Sequence, residues 1–103
     1  MEIVWQAHNA VISDRLRRRA ELVVGKLASR LGNSVGADVR FEREGTRCRV
    51  EIVLRAARHK VMVAEGNARY YGPALAIAVS HLSRQVTSAR RTVKERTARA
   101  ARA

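Results

Sequence analysis

The stretch from Gly72 to about Arg96 constrains the fold most, because its apolar residues recur at helical spacing. At 100° per residue they occupy about 100° of arc. The stripe consists of Leu75, Ala78, Val79, Leu82, Val86, Ala89 and Val93. Pro73 suits the first helical turn, where its missing N–H has no intrahelical partner to lose. The sequence therefore predicts a long amphipathic helix, with one face for a core and the other, basic face for a polyanionic partner.

The positive charge of the chain is segregated into two helical segments. The formal net charge is +12, carried by 18 Arg and 3 Lys against nine acidic residues. Residues 13–31 hold six basic and two acidic side chains, residues 73–103 hold seven and one, and residues 33–66 hold seven and five. A merely solubilising surface would mix the signs more evenly. The excess indicates nucleic acid or an anionic membrane surface as partner.

The preponderance of arginine has two readings. Arginine binds phosphate through two parallel hydrogen bonds, which favours a nucleic-acid partner. The other reading is that the arginines reflect codon usage in a GC-rich genome. The residue type alone does not separate these readings, so the argument depends on where the charge lies.

A first strand and a first helix precede the central sheet. Glu2 to His8 reads as a short strand, with Trp5 as an anchor at the core or its rim. Ser13 is a suitable N-cap, and the helix that follows reaches about Leu31. Gly32 and Asn33 end it. Basic residues gather along one flank of this helix: Arg15, Arg18, Arg19, Lys26 and Arg30.

Three further strands are predicted from alternation of apolar and polar residues. One has the inward residues Val35, Ala37, Val39 and Phe41, and the next has Cys48, Val50, Ile52 and Leu54. The last strand spans Val61 to Glu65, and its facing stays open because both parities are apolar. Residues 66–72 are expected to form a loop that leads to the second helix.

This order predicts an α+β fold, β-α-β-β-β-α, with a four-stranded mixed sheet and both helices packed on one face. The first and second strands flank a helical crossover and are expected to be parallel. We expect a single domain over residues 1–96. The basic residues 97–103 lack core side chains, and we expect them to fray.

Catalytic and metal-binding patterns are not evident in the sequence. The three histidines lie far apart without ligand spacing, and Cys48 alternates with core residues as a small buried hydrophobe. We therefore expect no enzyme activity, no cofactor and no metal. A single cysteine, no visible signal peptide and no membrane-length apolar run predict a cytoplasmic protein.

Short motifs in this order resemble the ribosome hibernation promoting factor family, also called ribosome-associated inhibitor A or sigma-54 modulation protein. The motifs are Ile12-Ser13-Asp14, Leu16-Arg17, Lys26-Leu27, Ala64-Glu65-Gly66 and Leu82-Ser83-Arg84-Gln85-Val86. The resemblance runs from Ile3 to about Lys94 and corresponds to the short form of the family. Ala76 and His81 stand where many members have Asp and Lys.

The resemblance implies a fold like that of double-stranded RNA-binding domains. It implies binding to the small ribosomal subunit of bacteria under stress or in stationary phase, in the decoding channel, with inhibition of translation by blocking messenger and transfer RNA. Lys26, Arg84 and Lys94 match basic positions of the family. With the helix faces described above, the predicted RNA-binding residues are Arg15, Arg18, Arg19, Lys26, Arg30, His81, Arg84, Arg90, Arg91 and Lys94.

Other interpretations stay open at this point. The chain could be a constitutive ribosomal protein or a general double-stranded RNA-binding protein, and a small enzyme acting on RNA or a nucleotide is the weaker alternative. Tyr70 and Tyr71 could stack on bases or pack at the start of the second helix. The predicted mechanism is recognition of RNA shape through phosphate contacts, which would weaken as salt rises.

Overall fold

The order of helices and strands is the predicted one. A computed structural model describes residues 1–58 and 60–102, with side chains described up to residue 91. The elements are β1 (Glu2–His8), α1 (Asp14–Leu31), β2 (Ser34–Glu44), β3 (Arg47–Ala56), β4 (Lys60–Ala68) and α2 (Tyr71–Arg102). Helix α2 thus continues past residue 96, and the domain boundary and the fraying proposed there stay predictions.

The four strands form one mixed sheet in the order β1-β2-β3-β4. Strand β1 pairs parallel to β2, and the other pairs are antiparallel. Both helices cover the same face, which confirms the α+β class and its layers. The core between the layers includes Val24 and Leu27 of α1, Leu75, Leu82 and Val86 of α2, and Val39, Phe41, Ile52 and Leu54 of the sheet.

Helix α1 begins and ends where its local sequence predicts. The Ser13 hydroxyl oxygen accepts a 3.2 Å hydrogen bond from the backbone N–H of Leu16. At the other end Gly32 has a φ of 83°, a left-handed conformation that glycine adopts without steric cost. Its N–H donates to the carbonyl of Ala28 over 3.1 Å. Both caps satisfy backbone groups that have no partner inside the helix.

Strand β4 is longer than predicted, and the prediction of a loop over residues 66–72 is wrong. The strand reaches Ala68, and α2 begins at Tyr71. Gly66, which is buried, lies where α2 crosses the strand, and a Cβ there would collide with the Ala74 carbonyl oxygen and the Ala78 nitrogen. Glycine at this position therefore marks a close approach of helix and strand, although it reads as a loop signal in the sequence.

For two strand segments, only the structure shows which side chains face the helices and which face the opposite side of the sheet. Ala64 of β4 is buried under the helices, whereas Val61 and Val63 are 55% and 51% exposed on the opposite face. In β2 the predicted inward residue Val35 is 61% exposed, so that prediction is wrong. The register between β2 and β3 shifts between Ser34 and Gly36, which breaks the alternation at the strand's first residues.

Candidate nucleic-acid interface

The two helices form a layer whose outer surface is basic. Three predicted contacts lie exposed on α1 toward its outer side, Arg15, Arg18 and Lys26, and three on α2, Arg84, Arg90 and Arg91. Arg19 is exposed on α1 beside α2. Within the part of the chain that the structure describes, none of these side chains forms an ion pair. Their charge is therefore available to an external partner.

Arg30 joins the two helices. Its guanidinium donates hydrogen bonds to the Ser83 hydroxyl oxygen at 3.3 Å and to the Thr87 hydroxyl oxygen at 3.0 Å. Because both acceptors are neutral, the positive charge of Arg30 is not cancelled. It shares a notch of about 250 Å³ with Thr87, Arg90 and Arg91. Three of the predicted residues thus meet at this end of the helix layer.

A groove of about 430 Å³ runs between α1 and α2. Its floor is apolar, and arginines from both helices stand at its walls. The lining residues are Arg19 and Val23 of α1 and Leu75, Ala76, Val79, Ser80, Ser83 and Arg84 of α2. The groove brings Arg19 and Arg84 to one feature, although they are far apart in sequence.

The open face of the sheet carries charge of both signs, and several of its arginines are paired with carboxylates. Arg49 contacts the carboxylates of Glu42 at 3.4 Å, Glu51 at 2.9 Å and also Glu65. Arg55 pairs with Asp38 in the same layer. The hydrogen bond to Glu65 raises the pKa of Arg49, and the bond to Asp38 raises that of Arg55. These arginines are neutralised locally, so the two faces of the molecule differ in electrostatic character.

His81 is turned toward the sheet. Its Nδ1 lies 3.0 Å from the carbonyl oxygen of Glu65, and the Gln85 amide nitrogen donates to the Val63 carbonyl at 2.8 Å. Both carbonyls belong to β4, which is an edge strand. The two side chains of α2 thereby satisfy backbone acceptors that would otherwise lie open to pairing. The RNA contact predicted for His81 stays a prediction, and its ring has this second role.

The aromatic residues are divided between core and surface. Tyr71 packs edge-on against Phe41, with ring centroids 5.8 Å apart, and Phe41 stacks on Trp5 at 6.3 Å. Arg17 lies over the Trp5 ring at 5.1 Å. Burial raises the pKa of the Tyr71 hydroxyl. Packing is thus the role of Tyr71, whereas Tyr70 is 66% exposed.

The remaining features concern the single thiol, metal ligation and membrane crossing. Cys48 is buried as predicted, and its thiol lies 3.5 Å from the Arg69 carbonyl oxygen. No group of three or more His, Cys, Asp or Glu side chains is placed to hold a metal in the described ranges. The helices of that same part of the chain include none long and apolar enough to cross a bilayer.

The sequence did not predict several residues of this surface, and one predicted residue cannot be compared with the structure. Ser83 was quoted only as part of a family motif and Thr87 was not singled out, so the bonds from both hydroxyls to Arg30 were not predicted. The groove-floor residue Val79 was assigned only to the core. The predicted contact Lys94 lies outside the described side chains.

The sequence and the fold of this chain are similar to those of known proteins. A profile of the family described as Sigma 54 modulation protein / S30EA ribosomal protein matches residues 3–94. No curated protein sequence matches the chain. A ribosomal subunit interface protein from Coxiella burnetii has a similar structure, with a TM-score of 0.78 at 14% identity, over 85% of this chain and 96% of that one. The Protein Y N-terminal domain from Thermus thermophilus gives a TM-score of 0.73 at 24% identity, over 84% and 96% respectively. These structures share the fold.

Proposed function

The chain belongs to the Sigma 54 modulation protein / S30EA ribosomal protein family, and on that premise we propose that it binds the small ribosomal subunit and inhibits translation. Membership confirms the resemblance predicted from the motifs. In this proposal the helix layer contacts ribosomal RNA in the decoding channel. Messenger and transfer RNA are then excluded by occupancy, with no chemical step, no cofactor and no metal. The protein acts in the bacterial cytoplasm under stress or in stationary phase.

The observation that carries this proposal is the electrostatic difference between the two faces. Helix cations such as Arg18, Arg19 and Arg84 form no ion pair with described residues, whereas the sheet arginines Arg49 and Arg55 do. Unpaired cations release counterions from a phosphate backbone when they bind it, which drives association. Such contacts fix position and orientation rather than read sequence, so folded RNA shape would determine the site.

The direct test uses purified ribosomal subunits and a reconstituted translation reaction. The protein should sediment with small subunits in low-salt buffer, leave large subunits alone, and reduce translation in proportion to small-subunit occupancy. Raising the salt should weaken binding with a slope of about −0.7 to −0.9 per phosphate contacted on logarithmic axes. Failure to sediment with small subunits would refute the proposal.

A constitutive ribosomal or general double-stranded RNA-binding protein is the alternative. The same basic helix layer favours it, because phosphate contacts alone would hold any folded RNA. Polysome profiles separate the two functions. A hibernation factor should accompany idle ribosomes in starved cells and be absent from growing polysomes, whereas a constitutive protein would be present in both.

A further inference from the structure

We infer that the groove between α1 and α2 is a seat for one unpaired RNA nucleotide. This inference rests on the proposed RNA-binding function and adds a ligand to a feature that phosphate contacts do not explain. The groove measures about 430 Å³, within the range typical of small-molecule sites. Backbone phosphates need exposed cations, and contacts with them do not account for the apolar floor of this groove.

The floor has the chemistry of a surface that receives a nucleobase. Leu75 is buried, and Val23 and Val79 are half-buried at the inner boundary of the groove. Flat aliphatic surfaces pack against the face of a base as aromatic rings do, which is how enzymes hold bases taken out of a stack. With few aromatic residues in the chain, aliphatic packing is the means available to it. A base in a paired helix is covered on both faces, so only an unpaired base can enter.

Hydroxyl groups stand where the edge of a seated base would lie. Ser80 is exposed on one wall, and Ser83 lies half-buried farther along α2. The Ser83 oxygen accepts a hydrogen bond from Arg30 through one lone pair, and its O–H group keeps its donor capacity. A hydroxyl both donates and accepts, and can therefore bond the edge of any base. The seat would accept a base of any identity and select for its being unpaired.

Cations on both walls determine the class of ligand. Arg19 projects from α1 and Arg84 from α2, and neither forms an ion pair within the described residues. A nucleotide within a strand carries a phosphate on each side of its sugar, which provides one partner for each guanidinium. An apolar side chain of a protein partner would fill the floor but leave both arginines without an anion. Charge complementarity therefore favours RNA.

The test compares three RNA hairpins of one sequence: fully paired, with a single bulged uridine, and with an abasic site at the bulge. Binding is measured by fluorescence anisotropy in low-salt buffer. We expect the bulged hairpin to bind about tenfold tighter than the paired one, the size of one base-stacking contact. The abasic hairpin should lose that preference, because it keeps the bent backbone but lacks the base.

Two matched substitutions place the effect in the groove. Ser80→Leu fills the groove, and Ser29→Leu makes the same change at an exposed position of α1 outside it. Neither alters the charge. Ser80→Leu should abolish the preference for the bulge while keeping affinity for the paired hairpin, and Ser29→Leu should keep both. Ala76→Leu is a second groove-filling variant, and thermal melting verifies that each variant folds.

The outcomes separate this inference from the proposed function. Equal binding of all three hairpins by the folded wild type would overturn the seat while leaving RNA binding intact. No binding to any hairpin or to small subunits would overturn both. If the hairpins bind equally but Ser80→Leu weakens sedimentation with small subunits, the groove contacts the subunit by other means than an unpaired base and the inference is wrong.

Discussion

The guanidinium of Arg30 donates a 3.0 Å hydrogen bond to the hydroxyl oxygen of Thr87, which fixes the last turn of α1 against α2. A second bond of 3.3 Å, to the Ser83 hydroxyl oxygen, holds the same guanidinium by its other terminal nitrogen. A long side chain that would otherwise move freely is thereby held beside Arg90 and Arg91. Part of the basic surface is consequently ordered before any partner binds.

Two substitutions separate the charge of Arg30 from its position. Thr87→Val removes an acceptor and should lower the free energy of unfolding by about 0.5–1.5 kcal/mol, the usual contribution of one hydrogen bond. Its slope of log binding constant against log salt should match the wild type. Arg30→Gln removes the cation and should reduce the steepness of that slope by about 0.7–0.9. Urea unfolding and a salt series on small subunits measure both, and an unchanged slope for Arg30→Gln would exclude a phosphate contact.

His81→Ala tests whether that residue supports the sheet edge or touches RNA. Loss of the contact with the Glu65 carbonyl should lower the free energy of unfolding by about 1 kcal/mol. If His81 acts only at the sheet edge, affinity for RNA should change by less than about twofold, because no phosphate contact is lost. His8→Ala, at an exposed position of β1, is the matched control. A larger loss of affinity, specific to His81→Ala, would show that His81 also contacts RNA as the sequence predicts.

Gly66→Ala and Gly25→Ala should have opposite effects on stability. A Cβ at Gly66 meets the backbone of α2, so the substitution should cost about 3 kcal/mol or more, or prevent folding. At Gly25, within α1, nothing lies within 4 Å of the added atom. Alanine should therefore stabilise the helix by about 1 kcal/mol. Denaturant unfolding measures both, and equal effects would contradict the close packing of α2 on β4.

Alkaline pH should destabilise the protein partly through Tyr71. Burial raises the pKa of its hydroxyl above the ordinary 10.0, so the folded state holds the proton more tightly than the unfolded state. The contribution to stability is complete below pH 10 and is lost as pH rises through the folded pKa. Tyr71→Phe should lose less unfolding free energy than the wild type between pH 9 and pH 11 in urea titrations. Parallel losses would show that Tyr71 does not contribute.

The predictions that held depend on local chemistry. Ser13 caps α1 because its hydroxyl reaches a backbone N–H three residues on, and Gly32 ends it by its left-handed conformation. The alternation from Cys48 to Leu54 sufficed to orient β3. Around Val61 and Val63 the residues on both faces of the strand are apolar, so the sequence does not indicate which face is buried. Those side chains were assigned only by the register of β4 against β3.

The sequence predicted which basic residues belong to the candidate site, but it did not predict how they are arranged in space. Helical periodicity placed Arg19 and Arg84 on solvent-facing flanks, each within its own helix. How the helices lie against each other depends on packing across the whole core, and this packing creates the groove and the bonds from Arg30 to Ser83 and Thr87. The requirement for glycine at position 66 likewise arises only from the crossing of α2 over β4.

The central claim is tested most directly by comparing two triple variants with the same change in charge. Each variant is sedimented with purified small subunits. One replaces Arg19, Arg84 and Arg91 of the helix layer with Glu, and the other replaces Arg40, Arg47 and Arg55 of the open sheet face with Glu. Net charge falls equally in both, so any difference reports the face that binds. We predict that the helix-layer variant no longer sediments with small subunits or inhibits translation, whereas the folded sheet variant retains both. Equal loss in the two variants, or retention by the helix-layer variant, would contradict the account.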